Sequence, residues 1–139
     1  MNYFTINELC ASETAKKKKI NNIPSKEITS HLNELIKFLN PIRESWGSAI
    51  RINSGYRCSE LNKAVGGVSN SSHLKGWAAD LYPVNGKYEE FKKFITDYLK
   101  DKEFDQCIIE KSSKSEWIHL GLKDNLGRQR KMIFKMNVK

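Results

Sequence analysis

Three residues of the sequence carry side chains that suit a metal ion. His73 lies in a loop rich in Gly, Ser and Asn, Asp80 follows seven residues later, and His119 lies in the apolar segment WIHLGL. Two neutral imidazoles and one carboxylate form a ligand set for zinc that leaves a fourth coordination position open for water. Zinc in such a site lowers the pKa of the water towards about 7 and polarises a substrate carbonyl. The three residues predict a catalytic metal site, although their spacing alone also fits a surface histidine and a capping aspartate.

The spacing of His73 and Asp80 requires the chain to fold back between them. A fully extended chain would separate them by about 23 Å at ~3.3 Å per residue, whereas bonds to zinc are roughly 2.0–2.2 Å long. Gly76 lies midway and is the residue that permits the reversal. His119 is then a long-range ligand from a different segment. The remaining histidine, His31, lies among polar positions and is expected to face solvent.

Hydrophobic periodicity predicts the helices around these residues. Ser25 is placed to cap a helix whose apolar residues recur at helical spacing, and Pro41 is expected to kink or end it. A second amphipathic helix is predicted over residues 87–100. Shorter helical pieces are predicted over residues 6–10, in an otherwise irregular arm of residues 1–24, and over residues 59–65 with Ser59 as the cap.

Strands dominate the second half of the chain in this interpretation. They are predicted from alternating or short apolar segments over residues 49–54, 78–82, 104–109, 116–122 and 130–136. Helices followed mostly by strands favour an α+β fold, a small domain with a mainly antiparallel sheet flanked by helices. Asp80 and His119 would then both lie on strands of one sheet.

Length and composition limit the classes of protein to which the chain can belong. The chain has 139 residues without repeats or linkers, so we treat residues 1–139 as a single domain, with residues 1–24 as an arm packed on it. No segment approaches the roughly 18 apolar residues of a membrane span. The N-terminus lacks the basic-then-apolar pattern of a signal peptide, and we expect synthesis in the cytoplasm. Three cysteines without CxxC spacing predict reduced thiols.

The chain is basic, with 24 Lys and Arg against 16 Asp and Glu and a formal net charge of +8. This excess fits a solvated surface, a nucleic acid or an anionic cell surface. No zinc-finger spacing or RNP signature accompanies the charges, so we expect no nucleic-acid partner. The charge suits attraction to an anionic cell envelope, which salt would weaken.

The stretch SGYRCSELNKAVGGVSNSSHLKGWAAD resembles the zinc peptidases that act on bacterial cell-wall peptides. This family includes D-alanyl-D-alanine carboxypeptidases and dipeptidases and phage L-alanyl-D-glutamate endolysins, with a hedgehog-like fold. Its hallmark S-x-H-x-x-G-x-A-x-D is matched from Ser71 to Asp80, and its S-G-Y-R element is matched by residues 54–57. A second hallmark, an acidic residue three before a His in a W-x-H-type strand, is matched by Glu116, Trp117 and His119. The resemblance covers roughly residues 3–122.

The resemblance implies a role for each matched residue. His73, Asp80 and His119 would hold one zinc ion per chain in a surface cleft. Glu116 would be the general base that takes a proton from water and later protonates the leaving amine. Arg57 would contact the substrate or polarise the scissile carbonyl, and Ser71 would contact the substrate beside the metal.

Strand geometry complicates the role of Glu116. In a regular strand Glu116 and His119 point to opposite faces because their positions differ by three, an odd number. If Glu116 is the base, it must therefore lie at the start of the strand, before regular pairing begins, or on a β-bulge. Glu110 is the rival base, at the end of a predicted strand but without the hallmark spacing. Arg57 has an alternative role too, since it could pair with Glu60 and only shape the loop.

These observations favour a zinc peptidase, carboxypeptidase-like or endopeptidase, that hydrolyses an amide in peptidoglycan stem peptides. The missing signal pattern favours a phage or prophage lysin that reaches the cell wall by other means. The alternative is a cell-wall-binding or virion structural module that keeps the fold without turnover. We expect a monomer, and a binder has no need of the acidic residue beside the ligands.

Overall fold

Helices fill most of the first half of the chain and strands most of the second half in the computed structural model, which describes residues 2–138. The helices are α1 (Ile6–Cys10), α2 (Glu13–Lys18), α3 (Lys26–Trp46), α4 (Ser59–Ala64) and α5 (Tyr88–Tyr98), with 3-10 turns at Ser72–Lys75 and Leu99–Asp101. The strands are β1 (Ile50–Ser54), β2 (Ala78–Pro83), β3 (Gln106–Lys111), β4 (Glu116–Gly121) and β5 (Met132–Asn137). Within residues 2–138, no helix has both the length and the apolar character of a membrane span.

The five strands form one sheet in the order β1-β2-β4-β3-β5. Every pair is antiparallel except β3 with β5, which run parallel. The predicted α+β fold with a mainly antiparallel sheet is therefore confirmed. Leu81, Ile118 and Leu120 are fully buried in a hydrophobic core shared with α3 and α5. The two helices thus cover one face of the sheet, and the opposite face is left to carry the candidate ligands.

Helix α3 supplies the longest apolar face of the core. The Ser25 side chain accepts a hydrogen bond from the Ile28 backbone N–H at 3.1 Å, as a predicted N-cap should. Pro41 was expected to kink or end the helix. It does not end it, because α3 continues to Trp46 and is capped by Gly47 with φ 79°. Leu39 and Ile42, at 1% and 0% exposure, flank the proline. Their packing offsets the one backbone hydrogen bond that proline cannot make.

The N-terminal arm is more regular than the sequence interpretation had it. It contains α2 as well as α1, and the Thr5 and Ser12 side chains cap the two helices by accepting from backbone N–H groups. Leu9 is fully buried, and its carbonyl accepts a hydrogen bond from the Tyr56 N–H at 2.7 Å. The arm therefore packs onto the segment that leads into the candidate site.

His31 is half-buried rather than fully solvent-facing. Its ring stacks on Trp77 with centroids 4.1 Å apart, and its Nδ1 lies 2.6 Å from the Lys75 carbonyl oxygen. The α4 cap also differs, because Cys58 rather than Ser59 accepts from the Leu61 N–H. Cys10, Cys58 and Cys107 are unpaired, in keeping with reduced thiols.

Candidate active site

The sheet brings Asp80 and His119 face to face. They are direct cross-strand partners in the antiparallel β2–β4 pair, so their side chains point to the same face. Nδ1 of His119 lies 3.2 Å from Oδ1 of Asp80. Their side chains are 9% and 14% exposed. Both side chains are therefore mostly buried and keep a small exposed fraction.

His73 reaches the same point from the 3-10 turn that precedes β2. Gly76 ends this turn with φ 76°, in the left-handed region, which is the predicted reversal. A Cβ at Gly76 would lie 3.1 Å from Cγ2 of Ile28, so the turn also sits tightly on α3. Nε2 of His73 lies 3.3 Å from Oδ1 of Asp80. The chain thus folds back as the ligand spacing requires.

The carbonyl of Gly55 fixes the orientation of the His73 ring. It accepts a hydrogen bond from Nδ1 of His73 at 2.7 Å, which leaves Nε2 as the lone-pair nitrogen that faces Asp80. An added Cβ at Gly55 would clash with the Leu9 carbonyl, so only glycine allows this approach. Gly55 belongs to the S-G-Y-R element, and its carbonyl is a functional group that the sequence interpretation did not identify.

The three side chains fit a zinc ion. Their candidate ligand atoms all lie within 4.8 Å of one another. Ligands on a tetrahedral zinc with bonds of about 2.0–2.1 Å are separated by about 3.3–3.4 Å, and the two pairs that involve Asp80 are separated by 3.3 and 3.2 Å. Nε2 of His73 faces a carboxylate oxygen, an arrangement that a metal cation between the two atoms or a proton on Nε2 would stabilise. The donor set and its spacing therefore suit zinc.

Electrostatics hold these ligands in the forms that a metal requires. Burial lowers the pKa of His73 below the ordinary value, so its imidazole is neutral at pH 7. Burial alone would raise the pKa of Asp80, but the neighbouring imidazoles of His73 and His119 bring it well below its usual range. The site therefore offers an ionised carboxylate and a neutral histidine, with no proton to displace from either before a metal binds.

Glu110 is the acidic residue that the structure places beside the ligands. It lies on β3, two residues along from Ile108, the cross-strand partner of His119, and therefore shares the face of His119. Its Oε1 is 4.0 Å from Nδ1 of His119, and its side chain is 15% exposed. Burial, and next the charge of Asp80, raise the pKa of Glu110. A carboxylate with a raised pKa is a better proton acceptor.

Glu116 lies on the other face of the sheet. It is the first residue of β4, which is one of the two expected positions, and it pairs with Lys111 in unbroken β3–β4 register, without the bulge that was the other. Tyr88 of α5 donates from its hydroxyl to the Trp117 carbonyl at 3.1 Å, and burial followed by the charge of Glu116 raises the Tyr88 pKa. Glu116 is therefore near the helix-covered side. Strand alternation therefore favours Glu110 as the base whereas the hallmark spacing favours Glu116, and the role of each residue stays a prediction.

Arg57 and Ser71 lie at the edge of the cluster. Nη2 of Arg57 donates to Oγ of Ser71 at 3.3 Å, and its backbone N–H donates to the His73 carbonyl at 3.1 Å. Ser71 also caps the 3-10 turn by accepting from the His73 N–H at 3.2 Å. Within residues 2–138, Arg57 makes no ion pair with Glu60, the partner proposed for a purely structural role.

The electrostatic surroundings of Arg57 point it towards the site. Burial lowers the pKa of its guanidinium, and the charges of Asp80 and Glu110 partly offset this effect. The nitrogen Nε of Arg57 is buried and has no hydrogen-bond partner among the described residues. The Arg57 guanidinium, with one N–H group that has no partner among the described residues, thus lies near the candidate metal ligands and the candidate base.

A comparison with protein-family models agrees with this geometry. The model described as Peptidase M15 matches residues 2–121. The chain belongs to the peptidase M15 family. Members of the M15 family are zinc peptidases of the D-Ala-D-Ala carboxypeptidase and endolysin type, so this M15 chain is a metallopeptidase by family. The comparison with curated proteins gives no match.

Most of the residues singled out in the sequence come together in the M15 structure. His73, Asp80 and His119 form the cluster, and Arg57 and Ser71 border it. Their individual roles stay predictions. Glu116 is the exception, and Glu110, the rival, takes its place beside the cluster.

Proposed function

We propose that this chain is a zinc-dependent peptidase that hydrolyses an amide bond in peptidoglycan stem peptides, with Glu110 as its general base. The observation that carries the proposal is the shared sheet face on which Glu110 lies 4.0 Å from His119, itself 3.2 Å from Asp80. Membership of the M15 family supports a peptide substrate and zinc as the metal. Three ligands from protein leave a coordination position open, as catalytic rather than structural zinc requires.

The proposed chemistry divides between the metal and the residues around it. Zinc, when held by His73, Asp80 and His119, supplies a Lewis acid that polarises the scissile carbonyl and makes water more acidic. Glu110 accepts the proton of the attacking water and delivers it to the leaving amine. Burial, followed by the charge of Asp80, raises the pKa of Glu110, which makes its carboxylate a better proton acceptor.

Arg57 stabilises the negative charge that develops on the carbonyl oxygen in this proposal. Its guanidinium is partly buried, so water screens its charge less than it screens the charge of a surface arginine. Ser71 keeps Arg57 in place through the 3.3 Å hydrogen bond and holds His73 through the cap of the 3-10 turn. Ser71 therefore acts on the position of two site residues, besides any contact with substrate.

The physiological setting follows from the charge and the substrate class. A formal net charge of +8 favours association with anionic cell-wall polymers. We propose action at the cell wall, as a phage or prophage lysin, by a monomer that needs no nucleic acid. The bond that is cut distinguishes a carboxypeptidase, which releases a terminal D-alanine, from an endopeptidase, which releases larger fragments.

Digestion of purified peptidoglycan, followed by mass spectrometry of the soluble fragments, tests the proposal. The zinc-loaded protein should release new amino termini at one position of the stem peptide, and the metal-free protein should release none. Binding to peptidoglycan without any cleavage would contradict the proposal and indicate a cell-wall-binding module. The mass of the fragments identifies the scissile bond.

A further inference from the structure

A stripe of apolar side chains on β5 continues the sheet face that carries the candidate site. In the parallel β3–β5 pair, Ile108 lies opposite Phe134 and Glu110 lies opposite Met136. Residues directly opposite each other in a ladder point to the same face of the sheet. Phe134 and Met136 therefore share the face of Glu110, and Met132, two residues before Phe134, does so as well. We call these three side chains the apolar shelf.

The apolar shelf is open to solvent although its residues are hydrophobic. Met132 is 37% exposed and Met136 is 43% exposed, and Phe134 is half-buried. Beside the shelf on β3, Ile108 points to the same face and is only 6% exposed. Contiguous exposed apolar surface on an edge strand carries a risk of aggregation unless it has a binding role.

The strand that bears the shelf is firmly attached to the sheet. Arg130 donates from Nε and Nη2 to the two carboxylate oxygens of Asp105 at 2.8 and 2.9 Å, and the Asp105 side chain is 1% exposed. At the other end the Val138 N–H donates to the Lys111 carbonyl at 2.8 Å. The match to the M15 family ends at residue 121, so β5 lies outside it. β5 is thus a well-anchored strand on the side of β3 away from β4, outside the matched residues.

We propose that the apolar shelf binds an aliphatic side chain of the substrate peptide about three residues from the scissile amide, a proposal that rests on the proposed peptidase function. Neighbouring strands are about 4.8 Å apart, so β5 lies about 10 Å from β4, which bears His119. An extended peptide advances about 3.4 Å per residue. A peptide that crosses the sheet from the ligands towards β5 therefore reaches Phe134 with its third residue.

The position of the shelf favours the substrate over a second copy of the chain as its occupant. Only β3 separates the shelf from the metal ligands, and Met136 is the direct neighbour of Glu110. A protein interface on this face would cover Glu110. Methionine side chains adapt to different apolar shapes, which suits the alanine methyl groups and the aliphatic stem of a diamino acid in a stem peptide. The proposal makes this a peptidase of longer peptides rather than of free dipeptides.

Two matched variants test the shelf. Met136→Ser removes an exposed apolar side chain on the site face, and Ile133→Ser removes one of equal exposure, 43%, on the opposite face of β5. Zinc-loaded wild type and both variants are compared by kcat/KM on nested stem peptides that extend one to four residues beyond the scissile bond. Binding of the same peptides is measured by calorimetry with zinc-loaded Glu110→Gln protein, alone and combined with Met136→Ser or with Ile133→Ser.

The third residue should raise kcat/KM and affinity roughly fivefold, the effect of burying about 40 Å² of apolar surface. Met136→Ser should remove this gain and Ile133→Ser should keep it. Equal behaviour of the two variants, or no gain with length, would overturn the shelf. The proposal would also be overturned if the wild-type protein forms concentration-dependent dimers that Met136→Ser dissociates, while peptide binding is unaffected by the change. If wild type cleaves neither peptides nor peptidoglycan, the proposed function fails, and the calorimetric comparison still decides the shelf.

Discussion

The exchange of Glu110 for glutamine separates the two candidate bases. Glutamine has nearly the shape of glutamate but cannot accept the proton, so the change tests the chemistry rather than the packing. Glu110 lies 4.0 Å from Nδ1 of His119 with a side chain that is 15% exposed. Glu116→Gln is the matched control, because Glu116 lies on the same pair of strands but faces the other side of the sheet.

The expected loss for Glu110→Gln is roughly 10²–10⁴-fold in kcat, the usual contribution of a positioned acid–base group. This range corresponds to about 2.7–5.5 kcal/mol in the activation barrier. Glu116→Gln should stay within about twofold of wild type. The loss should fall at the lower end if Arg57 and the metal carry most of the charge stabilisation, since these are untouched by the change.

The assay is cleavage of a defined stem peptide under saturating conditions, with zinc content measured on the same samples. Both variants should retain zinc, because neither residue is one of the three ligands of the cluster. Wild-type activity in the Glu110→Gln variant, together with loss of activity in the Glu116→Gln variant, would refute the argument from strand alternation. Loss of zinc from Glu110→Gln would refute it differently, by making Glu110 a ligand.

Four further predictions concern the metal, the arginine, pH and the attachment of β5. His119→Ala should lose most of its zinc by metal analysis of the purified protein, since two ligands hold zinc poorly; full occupancy would contradict the assignment. Arg57→Lys should not restore the activity that Arg57→Ala loses, because a point charge does not reproduce a planar fork of donors; a large fall in melting temperature with unchanged kinetic constants would indicate a structural role instead. Metal-free protein that carries Glu110→Gln should lose stability in urea unfolding as the pH falls from 7 to 5, because burial lowers the pKa of His73 from 6.5 and the unfolded chain takes up a proton that the folded chain does not. The Glu110→Gln background is needed because the raised pKa of Glu110 stabilises the folded chain as the pH falls and so opposes the effect of His73. The slope is at most about 1.4 kcal/mol per pH unit for the His73 proton, and a flat profile in this background would contradict the burial argument. Arg130→Met should destabilise the protein by roughly 2–4 kcal/mol, because it leaves the buried Asp105 carboxylate without its partner; an unchanged urea midpoint would show that the ion pair is dispensable.

Local sequence signals predicted much of the fold correctly because the physics behind them is local. The Ser25 cap and the apolar spacing that follows it give α3, and the reversal at Gly76 follows from the ligand spacing. Helix α2 was missed although its signal is present, since Ser12 precedes an acidic first turn at Glu13. Its lysine-rich sequence has almost no apolar periodicity, and periodicity was the criterion applied.

Long-range contacts were the part that sequence patterns did not supply. The hydrogen bond from His73 to the Gly55 carbonyl joins residues 18 apart, and the stacking of His31 on Trp77 joins two separate elements. The Arg130–Asp105 pair, just before β5, joins residues that are 25 apart. None of these contacts has a periodic or motif signature. Each becomes visible only when the strand order is known.

The sequence prediction preferred Glu116 over Glu110 because of the hallmark spacing, and the observed bounds of β3 give a second criterion. Strand β3 was predicted over residues 104–109, which leaves Glu110 outside regular structure, whereas it spans Gln106–Lys111. With the observed bounds, alternation places Glu110 on the face of Ile108, and Ile108 is the partner of His119. The same alternation excludes Glu116 from that face once the strand is known to have no bulge. Hallmark spacing along β4 and alternation across β3 and β4 therefore indicate different residues, and the Glu110→Gln and Glu116→Gln variants decide between them.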